Sequence, residues 1–231
     1  MEYLYNEISH PLFWLAFSKI VWIDIFLSGD NALVIAMVCR NLPHRQRALG
    51  MVFGAVAAVA MRVVLTGFAS TVMEWPYAKA IGGFLLFIIA VKLLAPPKEE
   101  DSKVSEAATL FSAIVTVLIA DATMSLDNII AVAAAANGSL LLLGIGLALS
   151  IPLIIAGASF IVEVLDRLPI LIWLGAGLLG WIAGETISTD AVVLSVIGDG
   201  HLYTAAAAGA LSVLLLGFLW RRNFLKVMKL S

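Results

Sequence analysis

Seven segments of the chain are long, apolar and almost free of charge, and they restrict what the chain can fold into more than any other feature. They cover about 12–38, 50–70, 77–95, 107–136, 140–162, 170–186 and 203–220. An α-helix needs ~20 such residues to cross the ~30 Å hydrocarbon core of a bilayer. The sequence therefore predicts an all-α, polytopic membrane protein with seven transmembrane helices, numbered here as spans 1 to 7.

Composition supports this fold class, because charged residues make up only 13% of the 231 residues and hydrophobic residues make up 62%. Soluble domains carry about 25% charged residues, so this chain has too little charge to cover a surface in water. The composition excludes soluble enzymes, disordered chains, nucleic-acid-binding proteins and disulfide scaffolds. The lipid bilayer is thus the first predicted partner.

The basic residues predict the orientation of the chain, since lysine and arginine concentrate in the cytoplasmic loops of membrane proteins. One side of the predicted topology offers Lys79 alone. The other side holds ten of the 14 basic residues: Arg40, Arg45, Arg47, Lys98, Lys103, Arg167, Arg221, Arg222, Lys226 and Lys229. We therefore expect the N-terminus outside and the C-terminus in the cytoplasm. Trp14, Trp75, Tyr77 and Trp220 lie near span ends, where interfacial aromatic anchors are common.

A polar motif occurs twice inside the apolar spans. Span 1 contains Asp24-Ile-Phe-Leu-Ser28-Gly-Asp30-Asn31, and span 4 contains Asp121-Ala-Thr-Met-Ser125-Leu-Asp127-Asn128. Both read D-x3-S-x-D-N, with a constant offset of 97 residues. Polar and ionisable residues are costly within a membrane, so four matching ones in each of two spans indicate an internal duplication with a function.

Glycine spacing extends the duplication to the neighbouring spans, because Gly54 and Gly67 match Gly144 and Gly157. We predict one repeat at about 12–95, a linker at about 96–106, a second repeat at about 107–186, and an extra seventh helix at about 203–220. A repeat of three helices is odd, so its second copy enters the membrane from the opposite side. Inverted repeats of this kind are typical of secondary transporters, whose sites lie where the repeats meet.

Inversion brings Asp24 level with Asp127 and Asp30 level with Asp121, in two carboxylate layers ~9 Å apart along a helix axis. The resulting hypothesis is a single cation path with one layer nearer each face of the membrane. Helical geometry places Asp30 roughly 100° away from the stripe formed by Asp24, Ser28 and Asn31. Either span 1 is unwound near Gly29, or its two aspartates face different neighbours.

Carboxylate and amide oxygens form a hard ligand set suited to Mg²⁺, Ca²⁺ or Mn²⁺. The predicted metal-binding residues are Asp24, Asp30, Asn31, Asp121, Asp127 and Asn128. Accessory roles are assigned to Ser28, Ser125, Met124, Arg62, Lys92 and Glu185. The thioether of Met124 favours Mn²⁺, and Arg62 is a candidate for balancing an aspartate when no metal is bound. Lys92 and Glu185 match in the two repeats but fall near opposite faces, so we expect Lys92 to extend its ammonium group to the interface rather than to pair with Glu185.

With these motifs and the seven spans together, the chain resembles the TerC family of bacterial integral membrane proteins, and within it the short, YjbE-like branch. The resemblance covers nearly the whole chain. It implies a fold related to the lysine-exporter superfamily, a place in the bacterial cytoplasmic membrane, and export of metal ions, manganese above all. The residues that match the family's acidic motifs would then line the metal path.

Two other functions are compatible with parts of the pattern. An exporter of an amino acid or another small solute would need a group for the substrate's carboxylate, and Arg62 is the obvious one. An intramembrane aspartyl protease also uses two membrane aspartates, but its Tyr-Asp and Gly-x-Gly-Asp signatures are not matched here. We therefore expect a transporter and not an enzyme, with no resident cofactor and with a divalent cation as substrate. Span 7 is uncharged, which points to a scaffold role or to contacts in a homo-oligomer.

Overall fold

The computed structural model describes residues 29–68, 75–95, 106–136 and 140–228, together with the single positions 14, 17, 18, 20, 21 and 71. These residues form eight α-helices and one 3₁₀ turn, and no strand occurs among them. The helices are α1 (Gly29–Arg40), α2 (His44–Gly67), α3 (Ala78–Leu94), α4 (Glu106–Ala136), α5 (Leu140–Arg167), α6 (Ile170–Ser188), α7 (Ala191–Ile197) and α8 (Leu202–Met228). The chain is thus all-α over its described part.

The predicted spans 2 to 6 correspond to α2 to α6, and span 7 corresponds to α8. Five stretches are long and apolar enough to cross a membrane: His44–Gly67, Ala108–Leu126, Leu143–Arg167, Ile170–Ser188 and Leu202–Arg222. The multi-pass membrane fold is therefore confirmed. The count of seven spans stays a prediction, because α3 has 17 residues and much of span 1 lies outside the described residues. The linker at 96–105 lies outside them too.

Local sequence sets where several helices begin and end. Pro43 precedes α2 and Pro169 precedes α6, and a proline costs nothing there because the first backbone N–H groups of a helix have no intrahelical partner. Asp190 caps α7 by accepting a hydrogen bond from the Val192 N–H at 3.0 Å. Gly198 ends α7 with a φ of +74°, a backbone conformation that suits glycine.

The long helices alternate in direction along the chain, as they must in a chain that crosses a membrane repeatedly. At one end of the bundle Arg40, in the last turn of α1, and Arg47, in the first turns of α2, both pair with Asp166 near the end of α5. At the opposite end the Asp190 carboxylate, just after α6, accepts from the Ala80 N–H near the start of α3. The end of the bundle near Asp166 therefore contains Arg40 and Arg47, which the sequence predicted to lie on the same side of the membrane.

Packing joins the predicted repeats to each other. Helix α1 packs on α4, α2 on α5 and α3 on α6, while α1 also packs on α5 and α2 on α4. Buried apolar side chains from these helices form one main cluster. A smaller cluster adds Ile20 of span 1 to Val59, Val132, Leu143 and Leu147. The core therefore lies between the repeats, and α8 covers it from outside by packing on α6 and α3.

Many large apolar side chains point away from this core. Phenylalanines on five different helices are more than half exposed: Phe53, Phe84, Phe111, Phe160 and Phe218. Such a surface would associate in water but is the expected surface in hydrocarbon. The predicted anchors Trp14, Trp75, Tyr77 and Trp220 are also largely exposed, as interfacial anchors need to be.

Glycines let α6 and α8 approach closely. A Cβ at Gly184 would meet the backbone carbonyl of Ala205, and a Cβ at Gly209 would meet that of Gly180. Backbone atoms cannot move aside as a flexible side chain can. Small residues at these positions are therefore a requirement of the α6–α8 contact.

We predict that Gly184→Ala lowers the melting temperature of the chain in detergent, because the added methyl overpacks a contact between backbones at a cost of about 1–3 kcal/mol. Gly144→Ala is the matched control, since a Cβ at Gly144 meets nothing within 4 Å. That control should leave the melting temperature equal or raise it, because alanine favours helix over glycine. Equal melting temperatures for the two variants would contradict the close α6–α8 contact.

Candidate functional site

A buried ion pair joins α2 to α4. The Arg62 guanidinium lies with its Nη2 atom 2.6 Å from Oδ1 of Asp121, and both side chains are 5% exposed. Arg62 also donates through Nε to the Ser125 hydroxyl at 3.1 Å, and that hydroxyl donates in turn to Asp121 Oδ2 at 3.4 Å. The second copy of the polar motif is therefore held by a base from the first repeat.

The fold explains how these three residues meet. Asp121 and Ser125 are four residues apart on α4 and share one face of that helix. Helices α2 and α4 run parallel. Gly54 of α2 lies against Val117 of α4, and further along the same contact Arg62 pairs with Asp121. A Cβ at Gly54 would lie 3.3 Å from the Val117 Cγ1 atom, so this glycine sets the close approach that lets Arg62 meet its partner.

Asp30 of α1 brings a second carboxylate to this cluster. It lies within electrostatic reach of both Arg62 and Asp121, and its Oδ1 accepts from the Asn31 N–H at 2.9 Å. The neighbouring Asn31 is 4% exposed. Each copy of the motif thus supplies one carboxylate within electrostatic reach of Arg62.

The structure describes some of the remaining motif residues but not all of them. Asp24, Ser28 and the side chain of Asp127 lie outside the described residues, as does the stretch before Gly29 where unwinding of span 1 was considered. Asn128 donates through Nδ2 to the Met124 carbonyl at 3.4 Å, and Met124 is buried in the main apolar cluster. No group of three His, Cys, Asp or Glu side chains gathers within the part of the chain that the structure describes.

Lys92 and Glu185 lie on the antiparallel helices α3 and α6. Gly83 of α3 contacts Ala183 and Ile187 of α6, so Lys92 lies ~13 Å further along the helix axis than the level of Glu185. Lys92 is exposed in the last turn of α3. This position fits an ammonium group that reaches the interface, and the separation explains why the two residues do not pair.

Two buried polar residues were not predicted as functional. Thr123 donates to the carbonyls of Gly82 and Ile119, at 3.2 Å and 2.9 Å, and so holds α3 against α4. Asp190, 2% exposed, holds the starts of α3 and α7 through its two carboxylate oxygens. An aspartate directly before an apolar run is a helix-cap signal, and it could have identified Asp190.

A small pocket of about 110 Å³ opens beside the second motif, at the end of the bundle where α3 begins. Leu126, which stands between Ser125 and Asp127, forms part of its wall. The other lining residues are Trp75, Ala78, Lys79, Thr189, Asp190 and Ala191. One end of the motif on α4 therefore borders a space that contains polar side chains.

Comparison with known proteins adds the family. The model of the "Integral membrane protein TerC family" matches residues 9–226, which is most of the chain. The chain belongs to the TerC family. This finding confirms the resemblance that the paired acidic motifs indicated.

Individual TerC relatives are bacterial membrane proteins. The chain is 43% identical over 171 residues to the membrane protein YjbE of Bacillus subtilis (strain 168), covering 74% of this chain and 78% of the relative. It is 26% identical to YceF of the same organism, over 70% of this chain and 66% of the relative. It is also 26% identical to the inner membrane protein YgdQ of Escherichia coli (strain K12), over 55% of this chain and 61% of the relative. No solved structure matches the chain.

We predict that Arg62→Gln destabilises the chain by about 3–5 kcal/mol in metal-free buffer, because it leaves the Asp121 carboxylate buried without its partner. The double variant Arg62→Gln/Asp121→Asn should recover much of this loss. The exposed pair of Arg167 and Glu163 on α5 is the matched control, and its cycle should give a coupling below about 1 kcal/mol. Unfolding in detergent measures both cycles. Equal coupling in the two pairs would contradict the assignment of a buried, desolvated pair.

Proposed function

We propose that this TerC protein exports divalent metal cations, Mn²⁺ above all, through an acidic path between spans 1 and 4. The observation that supports it is the buried ion pair between Asp121 of the second motif and Arg62 of the first repeat. Charged groups buried within membrane spans are costly and mark ion pathways in most proteins that contain them. Family membership supports a transporter, and the hard oxygen ligands of the motifs support a divalent cation.

The proposed metal ligands come in two layers, one nearer each face of the membrane. Asp30 and Asp121 form the layer nearer the cytoplasm, and Asp24 and Asp127 form the layer nearer the outside. The amide oxygens of Asn31 and Asn128 complete a ligand set for a metal that passes between the layers. Mn²⁺ prefers carboxylate and carbonyl oxygens. The small pocket beside Leu126 is the proposed outer mouth of the path.

Pairwise packing supports two inverted three-helix repeats with α8 as the seventh span. Each of α1, α2 and α3 packs on its proposed counterpart α4, α5 or α6, as a two-fold axis between repeats requires. The same axis exchanges the α3–α4 contact with the α6–α1 contact. In the first, Gly82 lies against Thr123, and in the second, its counterpart Gly175 lies against Met37. Both contacts use a glycine at the matched position.

The proposed transport cycle is alternating access, in which one layer at a time faces water. Moving a cation out of the cell against the membrane potential costs ~2.3 kcal/mol per charge per 100 mV, so export needs a driving ion. We propose that protons entering through the aspartate layers supply this drive. The protein works in the bacterial cytoplasmic membrane, with its N-terminus outside and its C-terminus in the cytoplasm.

The position of Arg62 bears on the alternative of amino acid export. A substrate carboxylate would need a free cationic group, whereas the Arg62 guanidinium is already bound to Asp121 and Ser125. An acidic layer would repel such a substrate. These contacts favour a cation over an amino acid as the transported substrate. Transport assays with a panel of both kinds of substrate in proteoliposomes distinguish the two.

We predict the orientation from single cysteines introduced into a Cys39→Ala chain. Trp75→Cys should react with a membrane-impermeant maleimide in intact cells, because it lies in the proposed outer loop. Arg45→Cys should react only after the membrane is permeabilised. The reverse pattern would contradict the proposed orientation, and reaction of both positions from one side would contradict α2 as a membrane span.

Replacing Asp30, Asp121 or Asp127 with asparagine should raise cellular manganese and make cells sensitive to it, because each change removes a proposed ligand charge. Metal content is measured by mass spectrometry after a manganese load, at matched protein levels in the membrane. Glu163→Gln is the control, since its side chain is 63% exposed at the end of α5, where the proposed path does not pass. Unchanged manganese content in all three aspartate variants would refute the proposed function.

A further inference from the structure

Arg62 is a permanently charged group that lies where a transported cation would bind. Its residue is 4% exposed, and its guanidinium binds both Asp121 and Ser125. A metal ion that approached Asp121 from the side of Asp30 would meet the same carboxylate oxygens. Arg62 and a divalent cation would then repel each other across a site with little water.

We propose that Arg62 is a tethered competitor of the transported metal, which holds Asp121 in the empty protein and leaves it when the metal binds. This inference rests on the proposed function and assigns a role to a residue outside the acidic motifs. In the empty state the guanidinium neutralises a carboxylate that would otherwise be buried with its charge uncompensated. When it returns to Asp121, it expels the metal from that layer.

The two repeats differ at this position, so the competition acts at one of the two layers only. The glycine spacing that aligns Gly54 with Gly144 and Gly67 with Gly157 aligns Arg62 with Pro152. The layer of Asp30 and Asp121 thus has a tethered cation, whereas the equivalent position in the second repeat is a proline, which carries no charge. Release from the Asp121 layer is assisted by Arg62, and rebinding there is opposed by it.

The exchange of partners leaves the charge of Arg62 unchanged. Arginine is fully charged whether or not it is bound to Asp121, so the exchange of partners requires no proton. Asp30 lies within electrostatic reach of Arg62 and Asp121. It can therefore hold the metal while Asp121 exchanges one cation for the other.

Metal affinity tests the competition directly. We measure Mn²⁺ binding to the purified full-length chain in detergent by titration calorimetry, with wild type, Arg62→Gln and Arg62→Lys side by side. Removing a competitor that occupies the site most of the time should tighten binding about tenfold or more. Arg62→Lys keeps a tethered charge and should fall between the other two. Transport by Arg62→Gln in proteoliposomes should be slower despite the tighter binding, because release has lost its assistance.

A second measurement uses the unmodified chain and so does not depend on whether the variants fold. Phenylglyoxal modifies arginines that are accessible, and mass spectrometry reports the adduct on the peptide containing Arg62. Mn²⁺ should increase modification of Arg62, which is shielded in the empty protein. Arg167, exposed at the end of α5, should react equally with and without the metal.

The outcomes separate this proposal from the function on which it rests. A wild-type chain that neither binds nor transports Mn²⁺ refutes the proposed function. A wild-type chain that does both, with Arg62→Gln binding no more tightly and with Arg62 modification unchanged or decreased by Mn²⁺, refutes only the competition. In that case Arg62 is a fixed structural clamp between α2 and α4.

Discussion

A charge inside a bilayer has no water to stabilise it, and this constraint governs the arrangement of the whole bundle. Asp121 is placed on α4 at a depth where its carboxylate must find a cation, and Arg62 on α2 supplies one. That pairing fixes the relative position of α2 and α4, which in turn depends on the close approach at Gly54. The second acid, Asp30, lies on α1 within electrostatic reach of this pair. Without Asp30, Arg62 and Asp121, the described helices would form an ordinary apolar bundle that has no need of aspartates.

The helices around Asp30, Arg62 and Asp121 pack backbone against backbone at some contacts and through side chains at others. Glycines fix α8 to α6 at Gly180, Gly184 and Gly209, where backbone lies against backbone. The repeats are joined by apolar side chains in the core, by the pairing of Arg40 and Arg47 with Asp166 at one end, and by a close backbone approach only where Gly83 of α3 meets Ala183 of α6 among the described residues. Side-chain contacts of this kind can rearrange, whereas the backbone contacts of α8 cannot. We infer that α6 and α8 move together and that the contact between repeats is where a transport cycle would act.

Much of this organisation was predictable from the sequence, because membrane helices obey strong rules. The apolar runs predict the helices of the described chain to within a few residues, since a bilayer requires about 20 apolar residues for each crossing. The duplicated motif identified Asp121 and Ser125, because buried polar residues stand out in an apolar background. Arg62 was identified as a counter-charge, but its partner was not, since spacing along one chain does not tell which helices become neighbours. Thr123 could not be predicted because it donates to the backbone of another helix, which leaves no pattern in the sequence, whereas Asp190 carries a helix-cap signal before α7.

The central claim is that a divalent cation binds between α1 and α4 at the carboxylates of Asp30 and Asp121. The most direct test is a crystal structure of the protein soaked in Mn²⁺, with the metal located by its anomalous scattering. The account predicts an anomalous peak between these two aspartates, with the Arg62 guanidinium displaced from Asp121. A well-occupied Mn²⁺ at another place in the bundle, with Arg62 still bound to Asp121, would contradict it.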